Sequence, residues 1–261
     1  MIKFFRKIRQ KMLIENKFSK YLIYAIGEII LVVIGILIAL QINNLNEQGK
    51  SDALTSTYLN NLKLDLLSDL SRIEKRKKEI KYFEKEGYYS LDVIDGKIET
   101  IEKERFLKSL IWNNHYPIFQ PSRSTYDDLI NSGNIKLIKD NDLKVALSKY
   151  YMQNDWWEQF GQMAKDTHWR LMREEMFKAV DPFMMKAFYE AEYYPNKEPV
   201  VKYEDIEVDF ENIGANKSLK NAIKRVLSLR VWNYHIMNVS VEEINKILNI
   251  LNKITKAQQR V

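Results

Sequence analysis

Residues 21–42 read YLIYAIGEIILVVIGILIALQI, and this stretch decides the architecture that we expect for the chain. A helix of that length rises about 33 Å, which matches the roughly 30 Å hydrocarbon core of a bilayer. Residues 29–40 contain no charged or strongly polar side chain and have no amphipathic face, which disfavours the alternative of a buried helix in a soluble protein. The stretch therefore predicts a transmembrane helix over residues 21–42, with membrane lipid as its surroundings.

Charges on the two sides of this segment predict its orientation. Residues 1–20 carry seven Lys or Arg and one acid, whereas Glu47, Lys50 and Asp52 follow the segment. By the positive-inside rule the N-terminus lies in the cytoplasm and the large C-terminal part lies across the membrane. No small-x-small cleavage site follows the apolar run, so we expect an uncleaved signal anchor rather than a signal peptide. Two alternatives stay open for the tail: a plain topogenic segment, or an amphipathic helix that lies flat on anionic lipid.

Composition excludes several classes of protein. The chain has no Cys, which rules out disulfides, thiolate nucleophiles and Cys-ligated zinc. With 8 Gly and 5 Pro in 261 residues, turns are scarce, which disfavours a many-stranded sandwich or barrel. The whole formal net charge of +6 lies in residues 1–20. The rest of the chain has no net basic field for phosphate, so we expect no nucleic-acid partner.

Residues 51–261 predict an antiparallel helical bundle, joined to the transmembrane helix by a linker over residues 43–50. Apolar residues recur at three- or four-residue steps over residues 51–86, and Asp140 or Asn141 can cap a long helix that reaches about residue 180. The C-terminal helix, about 216–256, has the clearest pattern, a heptad seam of Ile223, Leu227, Arg230, Tyr234, Met237, Val241, Ile244, Leu248 and Leu251. Arg230 interrupts that seam and needs an acidic or carbonyl partner if it is buried.

Shorter elements connect the long helices. We expect helices at residues 101–113, 123–131 and 182–192, with Gly87 and Gly96 marking the end of the first long helix. Within residues 193–215, which contain Pro195, Pro199 and Gly214, Ile206, Val208 and Phe210 alternate with acids, which predicts an extended segment near 200–210, as a lone strand or an extended arm. The expected fold class is thus all-α, with an N-terminal transmembrane helix, a helical bundle and one such extended, short-β segment.

The N-terminal block resembles a known family. It reads FFRKIR at 4–9, ENKFSKYL at 15–22, YAIGEI at 24–29 and GILIALQINN at 35–44. These motifs look like the opening of a domain-of-unknown-function family of single-span membrane proteins from Gram-negative bacteria, strongly over residues 1–47 and more faintly over 124–151. Leu45 departs from the pattern, because such proteins carry a tryptophan there. The resemblance implies an inner-membrane location with residues 51–261 in the periplasm, and it implies no chemistry.

Candidate functional residues fall into two groups. In the predicted span, Gly35 and Ala39 form a small-xxx-small pair, and Glu28 is a carboxylate whose cost at mid-membrane is about 2.5–3.5 kcal/mol. Glu28 is either a tolerated acid near the interface, a helix–helix contact or a carrier of charge. In the bundle, the loop 113–126 and the helix face around 150–160 form a candidate pocket or partner surface, with ordinary core packing as the alternative, through Trp112, Tyr116, Tyr126, Tyr151 and Trp156.

Catalytic motifs are missing from the sequence. No glycine-rich phosphate loop, G-x-S-x-G or H-E-x-x-H occurs, and His115, His168 and His235 lack metal-ligand spacing. We therefore expect neither enzymatic activity nor a cofactor or metal. The main hypothesis is a single-span membrane protein whose periplasmic bundle binds protein partners or copies of itself. Two alternatives remain: a ligand-sensing domain that acts through a membrane partner, and a subunit of an ion-driven complex that uses Glu28.

Overall fold

A computed structural model describes residues 18–258 of the chain. Within that range every regular element is helical and no strand occurs, which confirms the all-α class. The basic tail predicted over residues 1–20 falls almost wholly outside the described residues.

Seven α-helices and two short 3-10 helices make up this described range. The α-helices are α1 (Phe18–Ile94), α2 (Lys103–Asn113), α3 (Ser124–Asn131), α4 (Asn141–Ala179), α5 (Phe183–Tyr193), α6 (Phe210–Ala215) and α7 (Lys217–Gln258). The 3-10 helices span Asn134–Leu137 and Tyr203–Asp205. Residues 43–50 are helical and form part of α1.

One local prediction was wrong, and a second loses one of its two alternatives, the strand. Gly87 does not end the first long helix, which continues to Ile94, and only Gly96 adopts the positive φ of a terminating turn, at 67°. The predicted strand near 200–210 does not form. Ile206 is buried instead as a core residue, and the Asp209 carboxylate accepts a hydrogen bond from the Asn212 backbone N–H at 3.0 Å, which starts α6.

The chain divides into two compact units between Thr57 and Tyr58. In the first, the described residues are all helical, and the apolar side chains from Leu22 to Ile42 are exposed or at most half-buried. Among the described residues this is the one helix long and apolar enough to cross a membrane, and none of its apolar window is buried. By length and composition it qualifies as a membrane span or as a signal anchor.

The second unit is a bundle of the remaining part of α1 with α4 and α7. Asp69 of α1 contacts Tyr150 of α4, whereas Lys63 and Asp95 of α1 contact Asn252 and Lys220 of α7. The two α1–α7 pairs make those helices antiparallel. Lys149 with Glu243 and Asn154 with Ser240 make α4 and α7 antiparallel as well, so α1 and α4 are parallel. The Asp140 carboxylate accepts a hydrogen bond from the Leu143 backbone N–H at 2.8 Å and caps α4, as its position before an apolar run predicts.

Two apolar clusters fill this bundle. The Tyr58 cluster joins residues 58–80 of α1, 143–151 of α4 and 237–251 of α7. The Met176 cluster joins residues 91–94, the buried face of α2, residues 172–180 and 219–227 with α5. Seven of the nine predicted seam residues of α7 are buried, and Tyr234 and Val241 are half-buried. The heptad pattern therefore identified the core face of this helix correctly.

Candidate functional site

The loop between α2 and α3 is held in place by a buried carboxylate. Asp69 is fully buried and accepts hydrogen bonds from the Ser122 backbone N–H at 2.9 Å and from the Tyr150 hydroxyl at 2.9 Å. Arg72 adds an ion pair to the same carboxylate, and the Tyr151 hydroxyl donates to the Ser122 carbonyl at 3.0 Å. Burial and the charge of Asp69 raise the pKa of Tyr150, so both tyrosines stay neutral donors. This clamp fixes the loop against α4.

A small cavity lies where this loop meets α4 and α7. Its volume is about 20 Å³, enough for one water molecule. Burial raises the pKa of Tyr116 to about 12, so its phenol is neutral at any physiological pH. The lining residues are Tyr116, Ile118, Phe119, Asn154, Trp157, Gly161, Asn233 and Ile236. The polar groups here donate and accept hydrogen bonds but do not titrate near neutrality, so the cavity is suited to holding water rather than to acid–base chemistry.

A buried cation separates the two apolar clusters. Arg230 is fully buried, and its guanidinium donates to the carbonyls of Phe83 and Trp112, the latter at 2.7 Å, and to the Asn113 side-chain oxygen at 3.2 Å. The carbonyl partner that the sequence demanded is thereby confirmed. Burial lowers the pKa of Arg230 to about 10. Trp112 and Asn113 end α2, so the cation lies at the negative end of that helix.

An exposed aromatic ridge crosses the surface of α4 and α7. Trp156 is 56% exposed and stacks on Phe160 at 5.8 Å between ring centroids, and Trp232 meets the edge of Phe160 at 6.2 Å. Met163 follows Phe160 by three residues on α4 and Val231 precedes Trp232 on α7, and they are 60% and 62% exposed. We call Trp156, Phe160, Met163, Val231 and Trp232 the aromatic ridge.

The five bundle residues singled out from the sequence do not share one site. Tyr126 and Tyr151 stack on each other at 4.1 Å beside the clamp. Trp112 stacks on the Phe83 ring at 5.2 Å, near Arg230. Tyr116 lines the cavity, and Trp156 belongs to the aromatic ridge. The loop 113–126 does meet the helix face around 150–160, whereas Trp156 is 56% exposed and does not line the cavity at that junction.

The three span candidates lie on the exposed helix of the first unit. Glu28 is half-buried and borders a shallow depression with Ala25, Ile29, Val32 and Val33. Gly35 and Ala39 are exposed, and a Cβ added at Gly35 would meet nothing within 4 Å. These small residues leave room for another helix to approach closely, and within the first unit that room is unfilled.

Sequence reasoning missed the clamp and the amides around the cavity. Asp69 stands at a core position of α1, three residues after Leu66 and four before Ile73, and a charge at such a position is a detectable signal. Asn154 and Asn233 gave no signal, because buried amides are recognised only by partners distant in sequence. Over residues 18–258 no group of three His, Asp or Glu side chains is arranged to hold a metal ion.

Comparison with known proteins places the chain in one protein family. Residues 28–160, just over half of the chain, match a family described as a family of unknown function, DUF6090. No curated protein and no solved structure matches the chain. The matched range contains the span candidates, Asp69 and the whole loop up to Trp156, and it ends before Trp232 and Arg230.

Proposed function

We propose that this chain, which belongs to the family of unknown function DUF6090, is a single-span inner-membrane protein whose periplasmic helical domain makes protein–protein contacts or self-associates. The N-terminus is cytoplasmic in this proposal, as the basic residues before the span favour. The protein works by binding rather than by catalysis.

Anchoring is supported by the exposure of residues 22–42. The large apolar side chains in this range are 47–72% exposed in the first unit. Leaving one such side chain in water rather than burying it costs on the order of 1.5–3 kcal/mol. A bilayer removes that cost for all the apolar side chains of residues 22–42, whereas a small partner protein would cover only some of them.

One observation carries the binding role, and it is the aromatic ridge. The ridge keeps two tryptophans and a methionine at the surface of the bundle, where Trp156 stacks on Phe160 and Trp232 meets the edge of the same ring. Trp and Met are enriched in protein interfaces, and a contiguous apolar patch at a surface marks an interaction site more often than a single exposed side chain does. Trp156 is the side chain that we expect to contribute most.

Photo-cross-linking in cells tests this role. A photoreactive residue replaces Trp156 or Met163 in the full chain, and a matched control replaces Gln162, which is exposed on the same helix. We expect discrete cross-linked species from the first two positions and none from the third. A product of twice the chain mass indicates self-association, and another mass indicates a different protein. Equal labelling at all three positions, or none, contradicts the role of the ridge.

Topology is tested separately, by reporters fused after Val261. A reporter that is active only in the periplasm should be active in this fusion, and a cytoplasm-only reporter should be silent. The reverse result contradicts the proposed orientation and localisation.

A second candidate, an accessory subunit of an ion-driven complex, is favoured by Glu28. A half-buried carboxylate in the otherwise apolar span over residues 22–42 is a functional candidate by default. For a charge carrier, Glu28→Gln abolishes function while assembly persists. For a structural hydrogen bond, Glu28→Gln preserves assembly and Glu28→Leu weakens it. The 20 Å³ cavity beside the loop holds no more than a water molecule, so that cavity is not a site for a signalling ligand.

A further inference from the structure

Residues 43–57 form a helical segment that has no buried side. Every residue in this range is exposed except Ser51 and Thr55, which are half-exposed. The segment reads NNLNEQGKSDALTST, and Asn, Gly, Ser, Thr and Asp are poor helix formers. A short helix that is polar on all sides is marginal in water. Its exposed Lys50–Glu47 ion pair adds only a few tenths of a kcal/mol, so the segment needs a partner.

One stripe of this helix is free of acidic side chains and follows a strict heptad. From Leu22 to Thr57, alternating steps of three and four residues select one line of residues. The central members of that line are Ile29, Val32, Ile36, Ala39, Asn43 and Asn46. All six are exposed in the first unit. The line runs without a break from the apolar part of the helix into the polar part.

The residue types on this stripe favour two parallel helices. Ile29, Ile36 and Asn43 occupy successive a positions, and Ala39, Asn46 and Ala53 stand at d positions. β-branched residues at a favour two-stranded coiled coils when Leu stands at d, which it does not here, so the argument for two strands rests on Asn43, because a polar residue at a fixes register and the number of strands. Small residues at d let the backbones approach closely.

Charges on the flanks are compatible with pairing to an identical helix. In a parallel pair Ile42 faces Glu47 of the other copy, and Gly49 faces Leu54, so these flanking positions bring no like charges together. Lys50 is the single charge on the stripe and stands opposite its own counterpart, but its ammonium bonds Glu47 of the same helix at 3.0 Å, which draws it off the seam. A long lysine stem can cover the seam while its charge stays in water.

In the second unit, the outer face of α1 has the same spacing for a limited distance. Leu64 and Leu67, 57% and 44% exposed, stand at the next a and d positions after Asn60. Glu74 and Lys78 follow, and there identical helices would bring like charges together. The pattern therefore ends inside the bundle rather than continuing along all of α1.

We propose that a second copy of this chain covers the stripe, so that residues 22–57 of two α1 helices pair in parallel and in register. The parallel orientation rests on the proposed function, because two copies inserted in one membrane with one topology present the same segment to each other. The pair buries the seam, and Asn43 and Asn46 meet their own counterparts.

Cysteine cross-linking tests the pairing directly, since the natural chain has no Cys. Single variants Asn43→Cys, Asn46→Cys and Ala53→Cys place a thiol on the stripe, and Asn44→Cys and Gln48→Cys place one on the opposite side. The full-length variants are oxidised in isolated, opened membranes. We expect a disulfide-linked product of twice the chain mass from the three stripe positions, and roughly tenfold less from the two controls. Equal cross-linking at all five positions, no product, or a product of another mass overturns the proposal.

A charge placed in the seam supplies a second measurement. Ala53→Glu puts two carboxylates face to face and should lower cross-linking through Asn46→Cys roughly tenfold, whereas Gln48→Glu on the outer face should leave it unchanged. An unchanged yield in Ala53→Glu contradicts the pairing. Because the oxidant reaches both sides of opened membranes, a reversed topology in the reporter test leaves this pattern intact. The two proposals therefore fail separately.

Discussion

Asp69 and Arg230 are two fully buried ionic side chains of the bundle, and they differ in the partners that compensate their charges. Asp69 is surrounded by donors that bond to it: a backbone N–H, a hydroxyl and the Arg72 guanidinium. Among residues 18–258 no carboxylate lies within ion-pair distance of Arg230, which donates to neutral oxygens. The Asp69 carboxylate bonds to groups of α1, of α4 and of the loop before α3. The Arg230 guanidinium instead donates to oxygens of α1 and α2, helices that have hydrogen bonds of their own. The same degree of burial therefore predicts very different costs of removal.

The partners explain that difference. Without Asp69, the Tyr150 hydroxyl and the Ser122 N–H lose their acceptor in a site that water reaches poorly. Without Arg230, the Trp112 carbonyl still accepts the His115 backbone N–H at 3.1 Å. A buried donor that loses its acceptor costs about 1–3 kcal/mol, and a carbonyl that keeps one partner costs much less.

The largest effect is expected for Asp69→Ala. It leaves two donors unpaired and the Arg72 charge unmatched, and we expect a loss of about 3–5 kcal/mol in the free energy of unfolding. Chemical denaturation monitored by circular dichroism measures it. Arg72→Ala is the matched control, because Arg72 is 46% exposed and its loss should cost less than about 1 kcal/mol. Equal losses in the two variants would show that the backbone and tyrosine bonds matter little.

A moderate effect is expected where α1 passes close to Arg230. A Cβ at Gly87 would lie 2.7 Å from Leu227 Cδ2 and 2.8 Å from Asn113 Oδ1. Gly87→Ala should therefore cost about 1–3 kcal/mol through overpacking, less the roughly 1 kcal/mol that alanine contributes to a helix. Thermal unfolding measures the net change.

Gly161→Ala is the control for that substitution. Gly161 is also a buried helical glycine, but its added Cβ would meet Ile118 at an ordinary 3.7 Å and would partly fill the small cavity. It should be neutral or stabilising by up to about 1 kcal/mol. A Gly87→Ala protein as stable as Gly161→Ala would contradict the close approach.

Gly87 also shows where prediction from sequence stops. Spacing of apolar residues identified α4 and α7 because their faces repeat over many turns, and Asp140 announced the start of α4. In the sequence Gly87 looks like the end of a helix. The reason for glycine there is the close approach of Leu227 and Asn113, which are distant in sequence and leave no space for a Cβ. The loop 113–126 was predicted beside residues 150–160 from aromatic content. The Asn154 and Asn233 amides that line the junction are ordinary polar residues until the fold brings them together.

The smallest effect is expected for Arg230→Met, which sharpens the comparison with Asp69. Methionine fills a similar volume without a charge to desolvate, the Trp112 carbonyl keeps the His115 N–H, and the Asn113 side-chain oxygen loses the Arg230 donor, so we expect a change of less than about 1.5 kcal/mol in either direction at pH 7. The lowered pKa of Arg230, about 10, fixes the sign of a pH effect. Between that value and the ordinary arginine pKa the unfolded chain binds more protons than the folded chain. The stability of the natural protein relative to Arg230→Met should therefore rise as pH increases above 10, and denaturation of both proteins at pH 8 and pH 10.5 measures it. A difference that falls over this range, or a loss as large as that of Asp69→Ala, would mean that the Arg230 cation holds the two clusters together as firmly as the Asp69 carboxylate holds the loop.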